Sequence, residues 1–289
     1  MTGVFAGSDY LTVDDMVGRA QAAVEDGFDT IWYPQVMSID ALTGLCAVAR
    51  EVPDIALGTS VVPIQGRHPF PLALQALAVA DAAGPGRFTL GLGVTHPVVS
   101  EGWFGVPYKG MVELMDETMT ALNGLFSDER RADVDGEHLT VHASTPVQTP
   151  GPEIMLAALG PRMLEVCGRT SAGTITWMTG PRAVEERIAP ALPDGARIVV
   201  GLPVCVAEAG STTKERMTKH MATYATMPSY RKQVEAERVD HPVDLAIIGS
   251  ADEVTERLAG LEAAGMTEFL ANVVGSPDEI AATTELLTR

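Results

Sequence analysis

The sequence predicts an α/β fold, a (β/α)8 TIM barrel, from two observations. At six places a helix-period segment ends at Gly or Pro and is followed by polar residues and a short apolar run, as in AAVEDGFDTIWYP at 22–34. Eight apolar runs of strand length occur within 289 residues, which is the number and spacing that a (β/α)8 barrel requires. An open doubly wound sheet is the alternative, but no G-x-G-x-x-G follows the first strand.

Each predicted strand is a run too short for a helix and of the right length for a buried parallel strand. The Gly that follows a preceding helix suits a left-handed C-cap, and alternating helices and strands give right-handed crossovers. In chain order the predicted strand cores are Val4–Ala6, Thr30–Tyr33, Ala56–Ser60, Phe88–Gly93, Glu153–Ala157, Thr174–Trp177, Arg197–Val206 and Thr267–Ala271.

Two connections are longer than a barrel loop usually is, and we interpret them as insertions after strands 4 and 7. Residues 127–152 combine acids with prolines and glycines and predict a surface hairpin, whereas residues 225–248 predict a helical piece followed by a turn. Long connections of this kind often act as lids or as partner surfaces. Neither has the composition of a linker, so the sequence predicts a single domain over residues 1–289.

The charge of the chain argues against two classes of partner. Lys and Arg number 20 against 38 Asp and Glu, giving a net charge of −18. Such a surface repels nucleic-acid phosphates and anionic lipids. The start lacks the features of a signal peptide, and the cysteines Cys46, Cys167 and Cys205 lie apart in apolar runs. We therefore expect a cytoplasmic protein that binds neither nucleic acid nor membrane and acts on a small molecule.

The predicted strand ends carry few acid–base groups. None of the four lysines follows a predicted strand, which argues against a Schiff-base aldolase. Among the histidines only His68 and His96 lie near strand ends, so no metal site is predicted. A site with few titratable groups suits a bound organic cofactor that performs the chemistry itself.

Two glycine–proline turns have the pattern of anion sites. ALGPRM at 158–163 and MTGPRAVEER at 178–187 each place Gly-Pro at the start of a helix. The free N–H groups and the helix dipole at such a start favour a phosphate. The alternative is that Gly-Pro serves only as a good helix entry.

Six motifs follow one another in the order of a known family. They are WYPQ (32–35), LGTSVVP (57–63), RHP (67–69), GRFTLGLG (86–93), ALGPRMLEVCGR (158–169) and AGTITW (172–177). In this order they resemble the luciferase-like monooxygenase superfamily, from about residue 4 to the C-terminus. Within it the chain looks most like the coenzyme F420-dependent oxidoreductases of actinobacteria, which implies F420 as cofactor and a homodimer.

The resemblance also implies positions for the cofactor. A non-proline cis peptide at Ser60–Val61 would back the deazaflavin ring, the segment around Thr95 would follow the ribityl chain, and the turn at Gly160 would hold the phosphate. The cofactor-binding residues implied in this way are Gln35, Ser60, Val61, Val62, Val94, Thr95, His96, Leu159, Gly160, Arg162 and Met163.

The chain departs from the F420 branch where that branch keeps its proton donor. The family pattern has an acid and then a His after strand 2, where this chain has Gln35 and Val36. We therefore expect Gln35 to hydrogen-bond the pyrimidine edge of the ring, and His96 to manage the proton. His96 before Pro97 is alternatively a loop residue that only hydrogen-bonds its neighbours.

An apolar substrate is expected from the aromatic residues near two strand ends. The end of strand 6 lacks the Lys of the family's sugar-phosphate enzyme, which disfavours a sugar phosphate. The predicted substrate pocket consists of Trp103, Phe104, Trp177 and Met178, although core packing explains each of them as well.

These inferences predict an oxidoreductase that passes a hydride between F420 and an apolar unsaturated or carbonyl compound. An FMN-dependent monooxygenase of the same superfamily is one alternative. A non-catalytic F420-binding protein is another, because Gln35 and Val36 replace the usual acid and His.

Overall fold

The strands define the barrel. The computed structural model describes residues 1–222, 224 and 227–289. In this part of the chain the strands are β1 (Thr2–Phe5), β2 (Thr30–Tyr33), β3 (Ala56–Thr59), β4 (Val62–Pro63), β5 (Phe88–Gly93), β6 (Arg131–Asp135), β7 (Thr140–Ser144), β8 (Glu153–Leu156), β9 (Gly173–Trp177), β10 (Arg197–Val206), β11 (Ile247–Gly249) and β12 (Glu268–Val273).

Eight of these strands close into a parallel barrel in the order β1, β2, β3, β5, β8, β9, β10, β12. The ring closes because β12 pairs back with β1, with Thr2 opposite Phe269. Each predicted strand core coincides with one of the eight strands to within two residues. The predicted barrel is therefore confirmed, and the open-sheet alternative is wrong.

Helices surround the barrel and alternate with its strands. In the described part they are α1 (Val13–Asp26), α2 (Ala41–Glu51), α3 (Pro69–Ala83), α4 (Pro97–Gly102), α5 (Met111–Phe126), α6 (Pro161–Thr170), α7 (Pro181–Ala183), α8 (Thr213–His220), α9 (Pro228–Glu237), α10 (Ala251–Ala263) and α11 (Pro277–Leu287). The short α7 continues as a π turn over Val184–Ile188. Gly27 ends α1 with a φ of 88°, which is the left-handed cap expected after a helix.

The two long connections contain structure of their own. The connection from β5 to β8 holds α4, α5 and the antiparallel hairpin β6–β7, so the hairpin predicted over 127–152 is confirmed. The connection from β10 to β12 holds α8, α9, β11 and α10. Residues 225 and 226 of the segment predicted over 225–248 lie outside the described residues. The strand β11, which extends the sheet beside β10, was not predicted.

The amino-terminal end of the barrel interior is polar. Glu268 of β12, whose side chain is only 2% exposed, accepts hydrogen bonds from Thr30 Oγ1 at 2.7 Å and from Trp32 Nε1 at 2.9 Å. Arg197 Nη2 of β10 lies 2.9 Å from the other carboxylate oxygen. Gly3 of β1 makes this possible, because a Cβ there would overlap the hydroxyl of Thr30.

An apolar layer lies above this polar layer. Trp32, Met155, Ile175, Val199 and Leu270 come from five different strands and pack together in the barrel axis. The barrel is thus filled below its carboxyl end, as in other (β/α)8 folds, and a ligand has room only at that end.

In the part of the chain that the structure describes, no helix combines the length and the apolar character needed to cross a bilayer.

Replacing Arg197 with Leu removes the cation that faces the buried Glu268. Removing the partner of a buried carboxylate is strongly destabilising. We therefore expect the free energy of unfolding, measured by urea denaturation, to fall by about 3–5 kcal/mol. Arg169→Leu is the matched control, because Arg169 pairs with Asp116 on the surface, where an ion pair contributes at most about 1 kcal/mol. Equal losses in the two variants would contradict the role given to Arg197.

Candidate active site at the carboxyl end of the barrel

The mouth of the barrel is formed by the loops that follow the carboxyl ends of its eight strands. At the end of β3 the Ser60–Val61 peptide bond is cis, as the family resemblance implied. The backbone N–H of Gln35, from the loop after β2, donates to Val61 O at 3.3 Å. Val62 then pairs with Leu92 of β5. Four predicted cofactor-binding residues, Gln35, Ser60, Val61 and Val62, are therefore adjacent.

The floor of the mouth is aromatic. The rings of Phe5 from β1 and Trp177 from β9 stack with their centroids 5.2 Å apart and an angle of 30° between their planes. Both are partly exposed, and Phe5 packs on the apolar layer below. Gly201 of β10 permits this packing, because a Cβ there would lie 2.9 Å from the Trp177 ring. A flat apolar floor of this kind suits a planar ring system.

Two polar side chains come from the loops after β2 and β3. The hydroxyl of Ser60 is buried and has no hydrogen-bond partner among the described residues. Gln35 Oε1 accepts from the N–H of Ala41 at 2.7 Å, so its amide oxygen is fixed at the start of α2. A buried hydroxyl without a partner is unfavourable, and a ligand with a polar edge would satisfy it. This observation fits a cofactor that carries hydrogen-bonding groups on its ring.

A buried glutamine fixes the loop after β5. Gln65, which is buried, accepts a hydrogen bond from Thr95 N at 3.1 Å and so fixes the backbone next to His96. Val94, before Thr95, is half-buried against the core. Burial lowers the pKa of the half-buried His96 below its ordinary value of 6.5. At neutral pH this imidazole is therefore uncharged and can hold or release a proton.

The first glycine–proline turn is an open helix start. Gly160 precedes α6, and a Cβ at this position would meet nothing within 4 Å. Leu159 and Met163 fix the turn by packing on the core. No side chain of the described residues accepts a hydrogen bond from the N–H of Arg162 or Met163. A phosphate would find free donors and a favourable helix dipole here. The Arg162 side chain is exposed and forms an ion pair with Glu113 of α5.

The second glycine–proline turn is already filled, which corrects the expectation that it receives a phosphate. The carboxylate of Glu237, at the end of α9, accepts from Ala183 N at 2.7 Å and from Arg182 N at 3.2 Å. The donors that the sequence pattern offers to a ligand are bound by the chain itself.

The four residues predicted to line the substrate pocket lie in different surroundings. Trp177 lies in the mouth, whereas Met178 is fully buried in the core. Trp103 is 57% exposed and Phe104 is 44% exposed, on the loop after α4, where Phe104 lies against Gly66. Their role in binding substrate stays a prediction.

Four residues of the mouth were not predicted: Phe5, Gln65, Tyr230 and Glu237. The alternation of Gly3 and Phe5 in β1 is the signal that could have placed Phe5 inside the barrel, because alternate residues of a strand share a face. The others reach the site from loops or from α9, and no local pattern marks them.

The sequence comparison decides the family. Residues 2–286 match the model of the luciferase-like monooxygenase family. The chain belongs to this family. The resemblance inferred from the ordered motifs is thereby confirmed, because the match covers nearly the whole chain.

The chain is similar to proteins whose descriptions mention F420 or FMN. A putative coenzyme F420-dependent oxidoreductase of Mycobacterium tuberculosis is 26% identical over 282 residues, covering 90% of this chain and 80% of that protein. A solved F420-dependent secondary alcohol dehydrogenase in complex with an F420–acetone adduct superposes with a TM-score of 0.80 at 15% identity, covering 100% of this chain and 99% of that one.

The oxygenating constituent of 3,6-diketocamphane monooxygenase from Pseudomonas putida, in complex with FMN, superposes with a TM-score of 0.74 at 17% identity. It covers 100% of this chain and 96% of that one. At these identities the two superpositions support the shared fold.

The lowered pKa of His96 predicts a pH dependence of stability. Below about pH 6.5 the unfolded chain binds a proton at His96 that the folded chain does not bind. The stability that is present above pH 6.5 is therefore lost as the pH falls through the lower pKa of the folded state. Thermal unfolding between about pH 7 and pH 5 should therefore show a steeper loss for the wild type than for His96→Gln. Parallel curves would contradict the buried, uncharged state of His96.

Proposed function

We propose that this chain is a coenzyme F420-dependent oxidoreductase that passes a hydride between the deazaflavin and an apolar unsaturated or carbonyl substrate. The observation that carries the proposal is the mouth itself, where an aromatic floor, one uncharged imidazole and an open helix start all follow strands of the same barrel end. The relative named as a putative F420-dependent oxidoreductase supports the choice of cofactor.

The residues present fit this cofactor. The segment Ser60–Val62 would back the ring, and the unpartnered Ser60 hydroxyl would meet a polar group on it. The backbone N–H groups of Arg162 and Met163 would bind the phosphate, and Gln35 would offer its amide nitrogen to the pyrimidine edge. When bound, the deazaflavin supplies the hydride chemistry at C5, so the contribution of the chain is orientation and exclusion of water.

His96 would handle the proton of the reaction. Its uncharged ring can donate from one nitrogen and accept at the other, and general acid–base assistance contributes about 10²–10⁴ in rate. Val36, in the position of the family's usual His, is exposed and cannot transfer a proton. His96 is thus our candidate for this step.

An FMN-dependent monooxygenase is the second candidate, and the FMN complex among the structural neighbours favours it. A cofactor binder without turnover is the third, and the Gln35–Val36 pair favours it. The monooxygenase differs from the main proposal in the cofactor that it binds. The cofactor binder differs in showing no turnover with reduced F420 and a panel of enones and quinones.

We also propose that residues 1–289 form a single cytoplasmic domain that assembles as a homodimer. The family resemblance supports pairing through helices near the start of the chain. Light scattering that gives the mass of one chain at micromolar concentration would refute the dimer.

The cofactor proposal is tested by titrating purified protein with F420 and with FMN. We expect F420 to bind with micromolar or better affinity. Substituting Gly160→Glu puts a carboxylate at the phosphate turn, where it repels the anion, and we expect it to weaken F420 binding about tenfold or more.

The matched control is Gly260→Glu, which adds the same charge at an exposed glycine of α10 whose surroundings are open. It should leave F420 affinity unchanged. Tight FMN binding without F420 binding, or an equal effect of the two substitutions, would count against the proposal.

A further inference from the structure

Helix α9 connects the loops of two strands that are not neighbours in the barrel. Near its start Tyr230 faces His96, in the loop after β5, with ring centroids 6.1 Å apart. At its end Glu237 binds the turn after β9. The barrel order is β5, β8, β9, so the two loops that α9 contacts follow strands separated by β8.

The length of the helix matches this span. From residue 230 to residue 237 an α-helix rises about 10.5 Å, since each residue adds about 1.5 Å. Two steps between neighbouring strands cover about 9.6 Å. One helix of this size can therefore contact both loops at once.

The attachment at Glu237 is built for a carboxylate. Each oxygen of the carboxylate accepts one backbone N–H, from Arg182 and from Ala183. Gly180 leaves the space, because a Cβ there would lie 2.6 Å from the Glu237 carboxylate carbon. A carboxylate that accepts two N–H groups at a helix start is a strong, charge-assisted contact. A carboxamide would have to turn its NH2 group toward one of the donors.

Side-chain contacts also fix the middle and the start of α9. Gln233 is buried and accepts from Arg187 Nη2 at 3.0 Å. Tyr230 packs edge-on against Tyr224, with ring centroids 4.7 Å apart. The phenol ring of Tyr230 is thereby fixed beside the imidazole that we assign to proton handling.

We propose that Glu237 is a positioning residue: its contact with the turn after β9, here called the clasp, fixes the position of α9. Tyr230 thereby forms a specificity-determining wall over His96. This inference deepens the proposed function and rests on it for the reaction that the wall would serve. A rigid aromatic wall selects flat apolar substrates and limits their thickness.

The clasp is tested without any cofactor by labelling histidines with diethyl pyrocarbonate and following each site by mass spectrometry. If α9 covers His96, Glu237→Gln and Tyr230→Ala should each speed the labelling of His96 about fivefold or more. His142, exposed on the β6–β7 hairpin, is the internal reference and should react equally in all variants.

Glu235→Gln is the matched control, because Glu235 lies on the same helix, is exposed and makes no side-chain hydrogen bond within the described residues. It should react like the wild type. If Glu237→Gln does not fold, Glu237→Asp replaces it, because it keeps the charge on a shorter side chain. The labelling rate of His96 in Glu237→Asp should lie between the rates in the wild type and in Tyr230→Ala. Equal labelling of His96 in every variant would overturn the proposal.

The wall is tested with reduced F420 and menadione. Tyr230→Ala should raise KM for menadione about fivefold and leave kcat within about twofold, whereas Tyr230→Phe, which keeps the ring, should retain the wild-type KM. An unchanged KM in Tyr230→Ala would refute the wall. If F420 does not bind even the wild type, the proposed function fails, while the labelling result still decides the clasp.

Discussion

The carboxylate of Glu268 is the constraint around which the barrel closes. It lies in the interior at the amino-terminal end, where it joins β12 to β2 through Thr30 and Trp32 and to β10 through Arg197. The contacts with Thr30 and Trp32 cross the seam where the last strand meets the first, and they require the missing side chain of Gly3. A charge in such a position is tolerated only when it is paired and hydrogen-bonded. With this end sealed and the middle filled by apolar side chains, ligand chemistry is confined to the carboxyl end.

Much of the fold was predictable because strand and helix periods are local properties. Short apolar runs located all eight barrel strands, and their count identified the closed ring. The interior network was not predictable, because Thr30 and Glu268 are 238 residues apart and each looks like an ordinary strand-end residue. The strand β11 was missed for a related reason. It has three residues and forms only because β10, at ten residues, extends beyond its other neighbours.

The site was predictable only in part, and the two glycine–proline turns illustrate why. Their sequences offer the same free N–H groups, yet only the turn at Gly160 remains open, since Glu237 fills the turn at Gly180. A local motif specifies donors, whereas their availability depends on a side chain 54 residues further along the chain. The position of Tyr230 beside His96 is likewise a product of tertiary structure. The family resemblance, by contrast, implied the cis peptide at Ser60–Val61 because it carried information from complete folds.

The account divides the work between a coenzyme that reacts and a rim that orients it. A crystal structure of the protein with F420 tests this division most directly. We predict the ring between the Ser60–Val62 segment and the aromatic floor, and the phosphate on the N–H groups of Arg162 and Met163. A phosphate bound at the Gly180 turn in place of Glu237, or a ring lying outside the barrel mouth, would contradict the account.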